Sequence, residues 1–119
     1  MSRSIDYYLA PQSPWTYLGH DRFVALARAA GATVRVLPAD LGAVFSVSGG
    51  LPLGKRAPQR QAYRLVELAR WSRHLGVPMN VQPRFFPVDG TAASLLITAV
   101  AERDGAASAM ALTGRIMTA

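Results

Sequence analysis

The sequence predicts an α/β fold in which a parallel βαβ unit is followed by an all-helical stretch. Three observations carry this. A short alternating segment, 5–9, is followed after a Pro-containing break by helical periodicity, and that by a second alternating segment, 33–37. Helical spacing then returns at Ala62, Leu65, Val66, Ala69 and Leu75, and a further helix is read over 91–103. Apart from Gly19, Gly and Pro fall between these segments or at their ends, as expected of residues that break regular structure.

Ile5, Tyr7 and Leu9 alternate with Asp6 and Tyr8, the period of a half-buried strand. Ala10-Pro11-Gln12 ends it. Ser13-Pro14 then reads as a helix start, because Ser is a favoured N-cap and Pro lacks only an N–H that the first helical position does not need. Trp15, Leu18, Gly19, Phe23, Leu26, Ala27 and Ala30 supply a helical face, and Gly31 can close the helix in the left-handed conformation. Val34 and Val36 oppose Arg35 in the second strand, which Pro38 ends. A strand–helix–strand unit of this kind has parallel strands and a right-handed crossover.

Beyond it, 46–58 is rich in Gly and Pro and reads as a loop. A helix follows, closed by Gly76. Pro78, Pro83 and Pro87 make 77–89 an extended connection. A further helix runs over 91–103 and stops near Asp104-Gly105, and the Ala- and Met-rich 106–119 is a weaker helix candidate. The expected division is a βαβ half over 1–45 and a helical part over 46–119.

Composition narrows the function classes. The 119 residues suffice for one domain with a core, half of them are hydrophobic and 17% are charged, which argues against disorder. No apolar run approaches the roughly 20 residues of a membrane span. Asp6 interrupts the place where a secretory leader would begin its apolar stretch. These features predict a cytoplasmic protein with no membrane partner. There are no cysteines, so the chain brings no disulfide or thiol chemistry of its own. The net charge of +6 comes from scattered arginines, without the aromatic-interleaved basic face of a nucleic-acid binder. Lys55, Arg56, Arg60, Arg64, Arg70 and Arg73 form the one concentration. It reads either as the solvated side of a helix or as an attractor of a small anion. His20 and His74 read as surface residues, and no spacing of His, Asp or Glu suggests a metal site.

The chemically informative place is Ser13-Pro14-Trp15-Thr16, where strand passes into helix. A helix N-terminus favours an anion, including a thiolate, through its unpaired N–H groups and the macrodipole. Ser13 is therefore either an N-cap alone or a hydroxyl donor to a bound anion. Trp15 and Phe86 are candidates for an aromatic pocket or for plain core. Trp71 reads as a packing residue, and Tyr63 carries a hydroxyl that could reach a ligand.

Ile5 to Leu18, with its aromatic-rich strand running into Ser13-Pro14-Trp15-Thr16-Tyr17-Leu18, resembles the opening of the 2-hydroxychromene-2-carboxylate isomerase family. A second segment agrees: Arg60, Tyr63, Glu67, Arg70-Trp71-Ser72 and the closing Gly76-Val77-Pro78. Phe86-Pro87-Val88-Asp89 is a third, shorter match. The resemblance implies a DsbA-like, kappa-class-like thioredoxin fold with an all-helical insertion, in which Ser13 and Thr16 stand where thioredoxins carry their two cysteines. It implies glutathione as cofactor, its thiolate held by the catalytic Ser13, with Pro14 and Arg60 also in the cofactor site. It implies a small anionic aromatic substrate, a chromene carboxylate isomerised to a benzalpyruvate, with Trp15, Tyr63, Phe86 and Asp89 as pocket candidates. A kappa-class glutathione transferase is the nearest alternative, and a non-catalytic thioredoxin-like binding module the alternative of another class. The chain departs from the family at Asp89, where Asn is frequent, at Leu95 or Leu96, where an Arg is frequent, and at Arg60, where Lys is common. Nothing after Arg103 resembles the family's ββα second half. The sequence thus predicts an incomplete fold with little activity by itself, and an open strand edge that favours association, in the simplest case as a homodimer.

Overall fold

The computed structural model describes residues 2–119. Two strands pair in parallel: β1 (Arg3–Leu9) and β2 (Ala32–Pro38), in a register that sets Arg3 beside Ala32 and Leu9 beside Pro38. Between them runs α1 (Pro14–Ala29). Four more helices follow: α2 (Leu41–Ser48), α3 (Pro58–Leu75), α4 (Thr91–Asp104) and α5 (Ala106–Thr118), with a single 3-10 turn at Leu53–Lys55. The βαβ unit lies where its periodicity predicts, each strand longer by one or two residues at its start and β2 running through Pro38. No helix among the described residues is long and apolar enough to cross a membrane.

The chain folds as two compact units. The first holds the described residues up to Ala39 together with Asp89–Ala119. Its core is Leu9, Val36, Ile97, Ala109 and Met110, flanked by Tyr7, Phe23, Val24, Val34, Val100 and Ile116. Leu9 and Val36 are inward positions of the alternating strands, and α4 and α5 supply the apolar surface that covers them. On the outward side Asp6 and Arg35, partners in the strand register, form an exposed ion pair at 2.9 Å, a contact of about 0–1 kcal/mol. Ile97 is fully buried; truncating such a residue to Ala costs roughly 2–5 kcal/mol. Gly105 joins α4 to α5 with φ +90°, a backbone that side-chain-bearing residues rarely adopt, and so allows two helices to meet with one residue between them.

The second unit is Asp40–Val88. Asp40 caps α2, its carboxylate accepting from the Ala43 N–H at 3.1 Å, and Gly49 ends the helix in the left-handed conformation. At the end of α3, Gly76 is left-handed, and Val77 N–H bonds back to the Ser72 carbonyl at 3.1 Å, the paired closure typical of Gly-terminated helices. Leu68 is the buried side chain of α3. Residues 77–88 carry little regular structure and include a cis Phe86–Pro87 peptide.

The structure differs from the sequence expectation in three places. The loop expected over 46–58 is interrupted by helix: α2 begins at Leu41 and reaches Ser48, because Asp40 caps it before the Gly-rich signal begins. The tail is a full helix, α5, stabilised by burial of Ala109, Met110 and Thr113. The units do not divide at 45 and 46: α4 and α5 pack with the strands, because a sheet must bury its apolar face on another layer and these helices provide it.

Candidate active site

The turn between β1 and α1 is built from Ala10-Pro11-Gln12-Ser13. Ala10 and Pro11 are buried, and Ser13 N–H bonds the Ala10 carbonyl at 3.0 Å. Ser13 is extended (φ −81°, ψ 125°), as an N-cap requires, and its Oγ accepts from the N–H groups of Trp15 and Thr16 at 3.2 and 3.4 Å. Tyr17 N–H bonds the Ser13 carbonyl at 3.1 Å. Pro14, the first helical residue, has no N–H to offer. The backbone donors of the first turn are thus spent locally, through two cap bonds that are long for N–H···O. What remains is the Ser13 hydroxyl proton. A serine hydroxyl has two acceptor lone pairs and one donor; the cap uses the lone pairs, and the O–H meets no acceptor among the described residues. Capping and donation to an anion are therefore compatible roles of one side chain, at the positive end of a 16-residue helix.

Trp15, beside it, is 44% exposed, so it is not core. The α4 start lies close by: Gly90 is buried, and a Cβ there would collide with the Gln12 carboxamide. Asp89, immediately before, turns its carboxylate onto Thr91, accepting from the backbone N–H at 2.9 Å and the hydroxyl at 2.6 Å. These bonds, the hydroxyl first, hold its carboxyl below the usual Asp range. Asp89 is thus a helix-start residue of the first unit, with Ser13, Pro14 and Trp15.

Arg60, Tyr63 and Phe86 belong to the second unit. Arg60 is exposed in the first turn of α3. Tyr63, 55% exposed, donates its hydroxyl to Glu67 at 2.7 Å. Glu67 also accepts from the Trp71 indole at 3.1 Å and from Arg70. The Tyr63 hydroxyl, then the Trp71 and Arg70 donors, outweigh the desolvation of Glu67 and keep its carboxyl below the ordinary range. Trp71, read from sequence as a packing residue, is 40% exposed and is held by this network instead. Phe86 is exposed too, with the Arg64 guanidinium 5.0 Å from its ring centre.

His20 is the clearest correction. It is 2% exposed, not on the surface. Its Nε2 lies 3.0 Å from the Met110 carbonyl and its Nδ1 3.1 Å from the Tyr7 hydroxyl. The buried stripe of α1 runs through His20, Phe23, Val24 and Ala27, at the i, i+3, i+4, i+7 spacing of a helical face. The expected stripe included Leu26, which is 65% exposed. The spacing would have located His20 had a histidine been admitted to an apolar face. His74 is exposed, edge-on to Trp71.

A family model for the DSBA-like thioredoxin domain matches residues 4–118. The chain belongs to the DSBA-like thioredoxin domain family. Its fold is accordingly a DsbA-like thioredoxin fold, as the resemblance implied. The chain is similar to glutathione S-transferase kappa 1 of Caenorhabditis elegans, 32% identical over 82 residues, covering 68% of this chain and 36% of that protein. It is equally similar to a 2-hydroxychromene-2-carboxylate isomerase of Pseudomonas putida, 32% identical over 76 residues, covering 63% of this chain and 37% of that one. Among solved structures, a 2-hydroxychromene-2-carboxylate isomerase superposes with a TM-score of 0.70 at 27% identity, covering 97% of this chain and 54% of that one. The chain spans between about a third and about half of the length of these relatives.

Proposed function

We propose that the chain contributes the thiolate-holding site of a glutathione-dependent isomerase acting on a 2-hydroxychromene-2-carboxylate-type substrate. The observation that carries this is the unspent Ser13 O–H at the start of α1. A DsbA-like domain without cysteine cannot use a disulfide. With Ser13 in the first cysteine's place, the same helix end suits a thiolate brought by a ligand. Bound glutathione would supply that thiolate as the nucleophile. The chain's own part is to donate one hydrogen bond from Ser13 to the sulfur, to favour negative charge there through the α1 dipole, and to hold the turn rigid through the buried Ala10 and Pro11. Pro14 keeps the first helical position free of a competing N–H. Trp15 and Asp89, both exposed, are the proposed aromatic and polar surface toward the substrate.

A kappa-class glutathione transferase is the second reading, favoured by the similarity to the Caenorhabditis elegans enzyme. Glutathione titration of a Trp71→Phe variant, in which Trp15 is the sole indole, tests cofactor binding at α1. A fluorescence change that saturates is expected, and no change at any concentration would remove both enzyme readings in favour of a non-catalytic binding module. Turnover of a chromene carboxylate measured against conjugation of a generic electrophile separates isomerase from transferase.

A further inference from the structure

A cavity of about 330 Å³ opens in the second unit, lined by Leu53, Gln61, Arg64, Leu65, Val81 and Phe86 among others. Its volume sits at the small end of ligand pockets, which begin near about 300 Å³. Most of its wall is apolar. Its one charged lining residue is Arg64, half-buried, with its guanidinium on the Phe86 ring. Stacking on an aromatic face leaves the N–H edge of a guanidinium free for an acceptor. No carboxylate among the described residues forms an ion pair with it.

A second cation stands near. Arg56 donates its Nε–H to the Leu51 carbonyl at 2.9 Å, and the Arg56 carbonyl accepts from the Gln61 amide at 2.8 Å, which ties the backbone at Arg56 to α3. Arg56 too has no acidic partner among the described residues. Partial burial, and after it the like charge of Arg56, disfavour the charge on Arg64. An anion placed between them relieves that repulsion. The apolar walls ask for more than a bare anion, since inorganic phosphate would leave them wet.

We propose that this cavity binds a small carboxylate with an apolar tail, its carboxylate on the free edge of Arg64 beside Arg56 and its tail against Leu53, Leu65, Val81 and Phe86. The proposal does not rest on the role of Ser13. Calorimetric titration of the full chain with hexanoate tests it. Hexanoate should bind at one site, and hexanol and inorganic phosphate at least about tenfold more weakly, because each lacks one half of the recognition. Arg64→Gln, which keeps a good helix former at that half-buried position of α3, should weaken hexanoate about tenfold or more. Arg73→Gln, a charge-matched change in the last turn of α3, should leave it unchanged, as should Arg64→Gln the glutathione titration. Wild-type affinity in Arg64→Gln, equal loss in Arg73→Gln, or phosphate binding as tightly as hexanoate would each overturn the assignment. Joint loss of hexanoate and glutathione in Arg64→Gln would overturn it as a separate site.

Discussion

His20 and Met110 are joined across 90 residues of sequence by a buried contact of 3.0 Å between the imidazole Nε2 and the Met110 carbonyl. A carbonyl only accepts, so Nε2 carries the proton, and in the neutral ring Nδ1 accepts from the Tyr7 hydroxyl at 3.1 Å. The Tyr7 ring packs on Phe23, with centroids 4.4 Å apart, and stacks near His20. One side chain thereby ties β1, α1 and α5 together next to the core that supports the Ser13 turn.

Replacing His20 by Leu should lower stability by about 1–3 kcal/mol, since it removes two hydrogen bonds and leaves the Tyr7 hydroxyl without its partner. Chemical denaturation of the two proteins side by side measures this. A difference below about 0.5 kcal/mol, the range of an ordinary surface substitution, would mean that the network contributes nothing to folding.

Tyr7 gives the same network a pH signature. Burial raises its phenol above the ordinary value, so the folded state retains the proton longer than the unfolded one. The associated stability is present below the unfolded pKa, about 10, and is lost as pH rises through the higher folded value. Denaturation midpoints should fall at strongly alkaline pH, and Tyr7→Phe should flatten that decline. An unchanged alkaline slope in Tyr7→Phe would assign the decline to other groups.

Ser13→Ala should reduce turnover in an active preparation by roughly ten- to a hundredfold, the effect of losing a charge-assisted hydrogen bond of about 1.5–3 kcal/mol. As a cap, the same change costs typically about 1 kcal/mol of stability. Ser13→Gly costs only a few tenths at an N-cap yet also removes the hydroxyl, so its turnover should match that of Ser13→Ala. Turnover restored in Ser13→Gly would leave Ser13 as a cap alone.

Ser13→Cys should create one thiol of lowered pKa at the α1 N-terminus and no disulfide, because the chain has no other cysteine. The alkylation rate should rise with pH about a midpoint below the ordinary thiol value of about 8.5. A midpoint at that ordinary value would show that the helix end does not favour a sulfur anion.

Glu67 should register as an acid-sensitive hub. Its carboxyl is held below the ordinary range chiefly by the Tyr63 hydroxyl. The stability it contributes is present above the unfolded carboxylate pKa, about 4.3, and is lost as pH falls through the lower folded value. In a Trp15→Phe background, Trp71 fluorescence should change over that acidic interval as its bond to Glu67 is lost, and Glu67→Gln should abolish the transition. A transition that persists in Glu67→Gln would place its origin elsewhere.

Local physics made much of this protein legible in one dimension. Alternation at Ile5, Tyr7 and Leu9, the Ser13-Pro14 start, Gly31 and Gly76 at helix ends and the proline-rich 77–89 are each decided by neighbouring residues, so the βαβ unit, α3 and α4 follow from spacing and caps. The motif around Ser13 likewise points to the family that its match over residues 4–118 establishes. Other features depend on partners far along the chain. Burial of His20 requires Met110 and Tyr7 to arrive beside it, and a lone histidine carries no record of that. The grouping of α4 and α5 with the strands depends on which apolar face covers which, a choice that helical periodicity leaves open because any apolar stripe satisfies it equally. The unspent Ser13 proton, too, emerges only when every donor of the first turn has been assigned its acceptor in three dimensions.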